Sequence, residues 1–224
     1  MVVTELEERY EAKREAAPAL LVALVALVGL ALVSWSQGWA LLGLSWWVWL
    51  VLAVPEFVLL LDLVFGAGLA GTRTLALVAL GCLVVFNAIG LAILVAGLMT
   101  TNTAKLGGGE LLLTAVVIFI TNVIVFGIWY WEIDDGGPVA RTRHRRAAPD
   151  FQFPQDENPG LGRANWSPHM WDYLYISVTN AIAFSPTDAM PLTRHAKLVM
   201  GLESTISIVT VLLVGARAVN VLGS

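Results

Sequence analysis

Four polar residues interrupt the apolar C-terminal stretch of the chain: Glu203, Ser207, Thr210 and Arg217. Steps of four, three and seven follow the α-helical repeat, so the four share one helix face. A carboxyl, two hydroxyls and a guanidinium in such a row suit two kinds of chemistry. They line a path for small ions or protons, or they bond one helix to its neighbours inside lipid, with Thr179 or Asn180 as the partner of Glu203. A second ionisable group, Glu56, lies within an apolar block directly after Pro55, where the missing N–H frees a carbonyl and permits a kink. A carboxyl there suits proton coupling, or a hydrogen bond that holds helices together. The third candidate is the polar run Ser185-Pro186-Thr187-Asp188. It follows the 15 residues Met170 to Phe184 and precedes a long helix that begins near Thr193. Two geometries fit it. It is the tip of a hairpin, or it starts the last helix with Ser185 as N-cap, Pro186 first and Asp188 as capping partner.

Composition indicates what must position these groups. Of 224 residues, 58% are hydrophobic and only 13% charged, against about 25% charged in typical soluble domains. The apolar residues fall in blocks long enough to cross a bilayer. With a net charge of -4 and no basic surface, the chain gives no sign of a nucleic-acid partner. Cys82 is the only cysteine, which excludes an intrachain disulfide.

The expected class is all-α: a polytopic membrane protein with five spans plus a re-entrant pore-like hairpin, or six spans. Residues 1–17 form a charged amphipathic segment, in which Thr4 and Glu7 match a capping box. Its acid-rich character argues against a cleaved signal peptide. Residues 18–131 form a four-helix membrane region with spans at Pro18–Val33, Leu41–Phe65, Thr74–Met99 and Glu110–Trp131. Residues 132–167 form a hydrophilic loop, expected to be irregular and without a core of its own. Residues 168–224 form the C-terminal helical hairpin. Met170 to Phe184 gives about 22 Å of helix, short for a hydrocarbon core of about 30 Å, which favours re-entry over a sixth, tilted span.

Lys and Arg set the orientation. With five spans, Arg9, Lys13, Arg14, Arg73, Arg141, Arg143, Arg145, Arg146, Arg163, Arg194 and Lys197 fall on one side, and only Lys105 and Arg217 on the other. The N-terminus and loop 132–167 are therefore expected in the cytoplasm, on a multi-pass protein of the cell membrane.

No enzyme is expected. His144, His169 and His195 have no metal-ligand spacing, and Ser185 lacks the glycines of a nucleophile elbow. No metal or cofactor is implied. The run Asp134-Asp135-Gly136-Gly137-Pro138-Val139-Ala140-Arg141 is similar to the start of the membrane phosphatidyl-transferase signature. It departs by an extra residue before Ala140 and by Glu132 where an aspartate is required.

The hairpin resembles a family of bacterial multi-pass proteins of unknown function. The resemblance rests on Asp172-Tyr173-Leu174-Tyr175, Thr179, Phe184, Asp188, Thr193-Arg194 and Val219-Asn220, and it implies location and fold but no activity. The hairpin is also similar to the pore module of potassium-channel-like proteins, since Asp188-Ala189-Met190-Pro191 matches the D-x-x-P that follows their filter. Ala183-Phe184-Ser185-Pro186-Thr187 stands where the glycine-bearing filter would be, so potassium selectivity is not implied. The sequence thus predicts a channel-like pore for small ions, with the lipid bilayer and a homo-oligomer as its setting. Beside it stand a non-conducting scaffold that binds a partner and, third, a proton-coupled transporter using Glu56 and Glu203.

Overall fold

In the computed structural model of the protein, the described residues are 14–38, 45–65, 73–99, 108–138, 140–141, 148–158, 160, 166–185 and 188–222. The side chains of some helix residues, Glu56 and Arg217 among them, lie outside that description. The described chain is mostly helical: α1 (Ala17–Gln37), α2 (Trp47–Leu52), α3 (Val54–Phe65), α4 (Arg73–Met99) and α5 (Gly108–Ile133). A 3-10 turn, Asp134–Gly136, ends α5. Then come β1 (Phe151–Gln152), the single turn α6 (Pro154–Glu157), α7 (Met170–Ala183), β2 (Met190–Pro191) and α8 (Arg194–Leu222).

Local sequence explains the boundaries. Pro18 stands in the first turn of α1, where its missing N–H costs nothing. Gly38 ends that helix at φ 65°, and its N–H reaches the Ser34 and Trp35 carbonyls. The expected span Leu41–Phe65 is not one helix. Residues 41–44 lie outside the described part, and the helix is interrupted at Ala53, two residues before Pro55. Proline supplies no N–H and crowds the carbonyl four residues back, which accounts for the break.

Among the described residues, three helical stretches are long and apolar enough to cross a membrane: Ala17–Gln37, Leu112–Gly136 and Arg194–Leu213. The structure carries the span count that far, short of the five or six expected. The middle stretch is the central one, because 67% of its apolar window is buried against 39% for each of the others. Phe126 and Tyr130 on α5 are completely enclosed.

Loop 132–167 was expected to be irregular and without a core of its own, and its described part joins the core of the bundle. Phe151 and Phe153 are fully buried and belong to the main core. The Phe151 ring packs 5.2 Å from Tyr130 and 6.3 Å from Tyr173, and Phe153 stacks edge-on against Tyr173 and Trp166. β1 pairs antiparallel with β2, and the Leu192 N–H donates to the Asp150 carbonyl at 2.8 Å.

One end of the bundle gathers five segments of the chain. Glu15, just before α1, accepts the Met170 N–H at 3.1 Å and meets the His169 ring at 2.9 Å. Asp134, at the end of α5, meets Tyr173 near the start of α7. It also accepts the Asp150 N–H, and Asp150 meets Thr193 at the start of α8. The starts of α7 and α8 therefore lie at the same end, so the chain between them goes in and comes back. At 14 residues, α7 is about 21 Å long.

Close packing fixes α7 against α5 at Gly127. A Cβ built there would lie 2.7 Å from Leu174 Cδ2 and 3.2 Å from Leu174 Cα, which is backbone. Gly127→Ala should destabilise the fold by about 1–3 kcal/mol, the usual range for overpacking. Leu174→Ala should recover only part of that loss in a double-mutant cycle of thermal unfolding, since the crowding against the α7 backbone remains.

Candidate functional site

The inward face of α8 is the site. Its stripe is possible because helical geometry sets Glu203, Ser207 and Thr210 opposite the outward residues Gly201, Thr205 and Leu212. All three inward groups are buried to within 1% of full enclosure. A carboxyl so enclosed demands partners, because its desolvation costs several kcal/mol if unmet. It has three. The Tyr130 hydroxyl from α5 meets Oε2, and the Ser177 hydroxyl from α7 meets Oε1. The Asn180 amide from α7 donates to Oε2 at 2.6 Å.

Each partner is held in turn. Ser177 Oγ also lies 2.8 Å from the Val123 carbonyl, and Asn180 Nδ2 also reaches the Met200 carbonyl at 3.0 Å. Ser204 Oγ donates to Asn180 Oδ1 at 3.0 Å. One turn further along, Asn122 Nδ2 of α5 donates to Ser207 Oγ at 3.1 Å. Thr210 bonds the Ile206 carbonyl of its own helix at 2.8 Å. The network joins α5, α7 and α8 within one chain.

A second polar cluster closes the end of the bundle. Asp134 Oδ1 accepts the Asp150 and Phe151 N–H groups at 2.7 and 3.1 Å. Asp134 Oδ2 meets the Tyr173 hydroxyl. Arg141 Nη1 donates to the Trp131 and Asp134 carbonyls at 2.7 and 2.8 Å, and its guanidinium lies 5.0 Å over the Tyr173 ring. Asp135 takes a left-handed conformation, φ 51°, and its Oδ1 accepts the Ala148 N–H at 2.9 Å. These groups tie the loop to α5 and α7, and of the two Asp135 carboxyl oxygens only Oδ1 has a hydrogen-bond partner.

The other sequence candidates divide. Ser185 is exposed, and Pro186 and Thr187 lie outside the described residues. Asp188 is half-buried, and burial, then the nearby Asp172 charge, pushes its carboxyl above the usual range. Ser185 does not cap the last helix. Thr193 does, its Oγ1 accepting the Ala196 N–H at 3.2 Å while bonding Asp150 Oδ1 at 2.5 Å. Glu56 is in α3 and Arg217 in α8 by backbone, but their side chains are outside the described set. The structure therefore brings together Glu203, Ser207 and Thr210, and among the described residues neither Ser185 nor Asp188 hydrogen-bonds to them.

Sequence reading named Asn180 and Thr179 as bonding candidates for Glu203. Asn180 is one, whereas Thr179 bonds the Tyr175 and Ile176 carbonyls of its own helix. It missed Tyr130 and Ser177. A signal existed: Tyr173, Ser177 and Asn180 stand at i, i+4 and i+7, a polar stripe on α7 that matches the one on α8. Among the described residues, no group of three His, Cys, Asp or Glu side chains is arranged to hold a metal ion.

No protein-family model, no curated protein and no solved structure matches the chain.

The network makes a prediction about Glu203. In Glu203→Gln, the amide oxygen still accepts from Tyr130 and Asn180, and the amide N–H groups face Ser177 Oγ. Stability should stay within about 1 kcal/mol of the parent, whereas Glu203→Ala removes the acceptor that Tyr130, Ser177 and Asn180 share, leaves the Tyr130 hydroxyl only its 3.4 Å contact with Asn180, and should cost about 2–4 kcal/mol. Thermal unfolding in detergent measures both, and equal losses would show that the negative charge itself is what the fold requires.

Proposed function

We propose that the chain is a multi-pass membrane protein that does not conduct ions, and that it presents its loop end to a partner as a scaffold. The observation that carries this reading is the engagement of the stripe: Glu203 and Ser207 are bonded to α5 and α7 inside a single chain, and Thr210 to its own helix. An ion path along that face would have to break those bonds. We place five spans in the bilayer, with 168–224 as a re-entrant hairpin. Support comes from the starts of α7 and α8 meeting at one end. The same end carries Arg14, Arg141, Arg194 and Lys197, which on the charge rule makes it cytoplasmic. The aromatic packing of Phe151 and Phe153 stiffens that end as a docking face.

A channel-like pore is the second reading, and the order of a short helix, a tip and a long helix favours it. Accessibility separates the two. In a Cys82→Ser background, cysteines at Ser207 and Thr210 should not react with small polar thiol reagents. Liposomes holding the protein should pass no ions. Reaction at both positions, together with flux that Glu203→Gln alters, would overturn the scaffold in favour of the pore.

Orientation is checked separately. A cysteine at Arg143 should resist labelling in intact cells and label after permeabilisation. Labelling from outside reverses the cytoplasmic assignment.

A further inference from the structure

The outward face of α8 carries a pattern that the stripe on its inner side does not explain. Arg194, Lys197, Leu198, Gly201, Thr205, Ile208 and Leu212 recur at helical spacing and lie along one line, opposite Glu203. All of them are exposed, Leu198 at 75% and Leu212 at 64%. The order along that line is two cations, then apolar and small residues. Neither Arg194 nor Lys197 forms an ion pair with a described residue. Thr205 satisfies its hydroxyl on the Gly201 carbonyl at 2.8 Å, so it presents its methyl group outward. Nothing lies within 4 Å of the place where a Gly201 side chain would begin, which leaves a shallow notch beside Leu198 and Leu202.

We propose that this face binds an anionic phospholipid. The headgroup phosphate sits between Arg194 and Lys197, and an acyl chain runs along the Gly201 notch past Ile208 and Leu212. The proposal rests on the membrane reading above. Charge complementarity selects the occupant: two cations with no ion-pair partner among the described residues, at the head of an apolar helix face, suit a negative headgroup above hydrocarbon, and a zwitterionic lipid would leave them half-matched. The cytoplasmic leaflet, where the charge rule puts this end, is where anionic lipids supply a negative surface. Met190 and Leu192, exposed just before the helix, extend the apolar rim at the level where the chain enters the bilayer.

The test uses the full chain in nanodiscs of phosphatidylcholine with a minor fraction of phosphatidylglycerol. Lipid retained after detergent extraction is counted by mass spectrometry. Phosphatidylglycerol should be enriched over its bulk fraction. The double variant R194Q/K197Q should lose roughly 25-fold in that preference, at roughly fivefold per cation for a Lys or Arg near an anionic surface. Equal enrichment in wild type and R194Q/K197Q overturns the proposal. So does loss of the retained lipid on adding inorganic phosphate, which would mark a free-phosphate site instead. If the chain inserts in neither phosphatidylcholine nor mixed bilayers, the membrane reading itself fails. Insertion in both without enrichment overturns the lipid site alone.

Discussion

The buried carboxyl of Glu203 constrains more of this structure than any other group. At the interior of three helices it cannot be left without hydrogen bonds, and the partners come from two of them: Tyr130 on α5, Ser177 and Asn180 on α7. Satisfying it fixes the rotation of α8 about its own axis. Once Glu203 points inward, the helical repeat sends Ser207 and Thr210 inward as well, and turns Leu198, Thr205 and Leu212 outward. The same bonds fix the depth to which α7 enters, because Ser177 reaches Glu203 and the Val123 carbonyl together. Gly127 is what lets α7 come that close.

The end of the bundle depends on an analogous group. Asp134 accepts two backbone N–H groups of the loop and meets the Tyr173 hydroxyl, so one carboxylate holds α5, α7 and the segment before β1. Bonds from ionised acceptors to backbone N–H are stronger than neutral ones. Arg141 adds two bonds to carbonyls at the end of α5, where unpaired C=O groups collect. The loop can then lay Phe151 and Phe153 over Tyr130 and Tyr173. Polar fixing and apolar burial act on the same few residues, which ties the network around Glu203 to the closed end.

The stripe on α8 was legible in the sequence because periodicity within one helix reveals a face. What a face meets is a different matter. Tyr130 and Ser177 lie 73 and 26 residues away from Glu203, and no local spacing records the rotation that brings them together. The role of Asp134 was hidden for a related reason. The run Asp134-Asp135-Gly136-Gly137 looks like a signature fragment or a turn. The turn is real, with Asp135, Gly136 and Gly137 all at positive φ, but the acceptor role of Asp134 depends on a loop 16 residues later. Burial of the loop could have been suspected from Phe151-Gln152-Phe153, where apolar residues alternate as in a half-buried strand. The long hydrophilic context outweighed that short signal. The break at Ala53 was legible in kind, since Pro55 was recognised as a kink, though not in its extent.

A helix of 14 residues inside a helical bundle raises the problem of its ends. At the start of α7, Glu15 and the Asp172 side chain accept the Met170 and His169 N–H groups at 3.1 and 2.7 Å, so the opening turn is not left bare. At the other end, Phe184 turns the chain by adopting φ 54°. That turn is costly for a bulky residue, and it persists because the flanking segments are tied down: Asn180 and Ala181 are buried on one side, and Ala189 and β2 are seated against the loop on the other. The groups that hold those flanks belong to the chain itself. The polar stripe of α8 is thus met by groups of its own chain, while the exposed line of Leu198, Thr205 and Leu212 faces away from it.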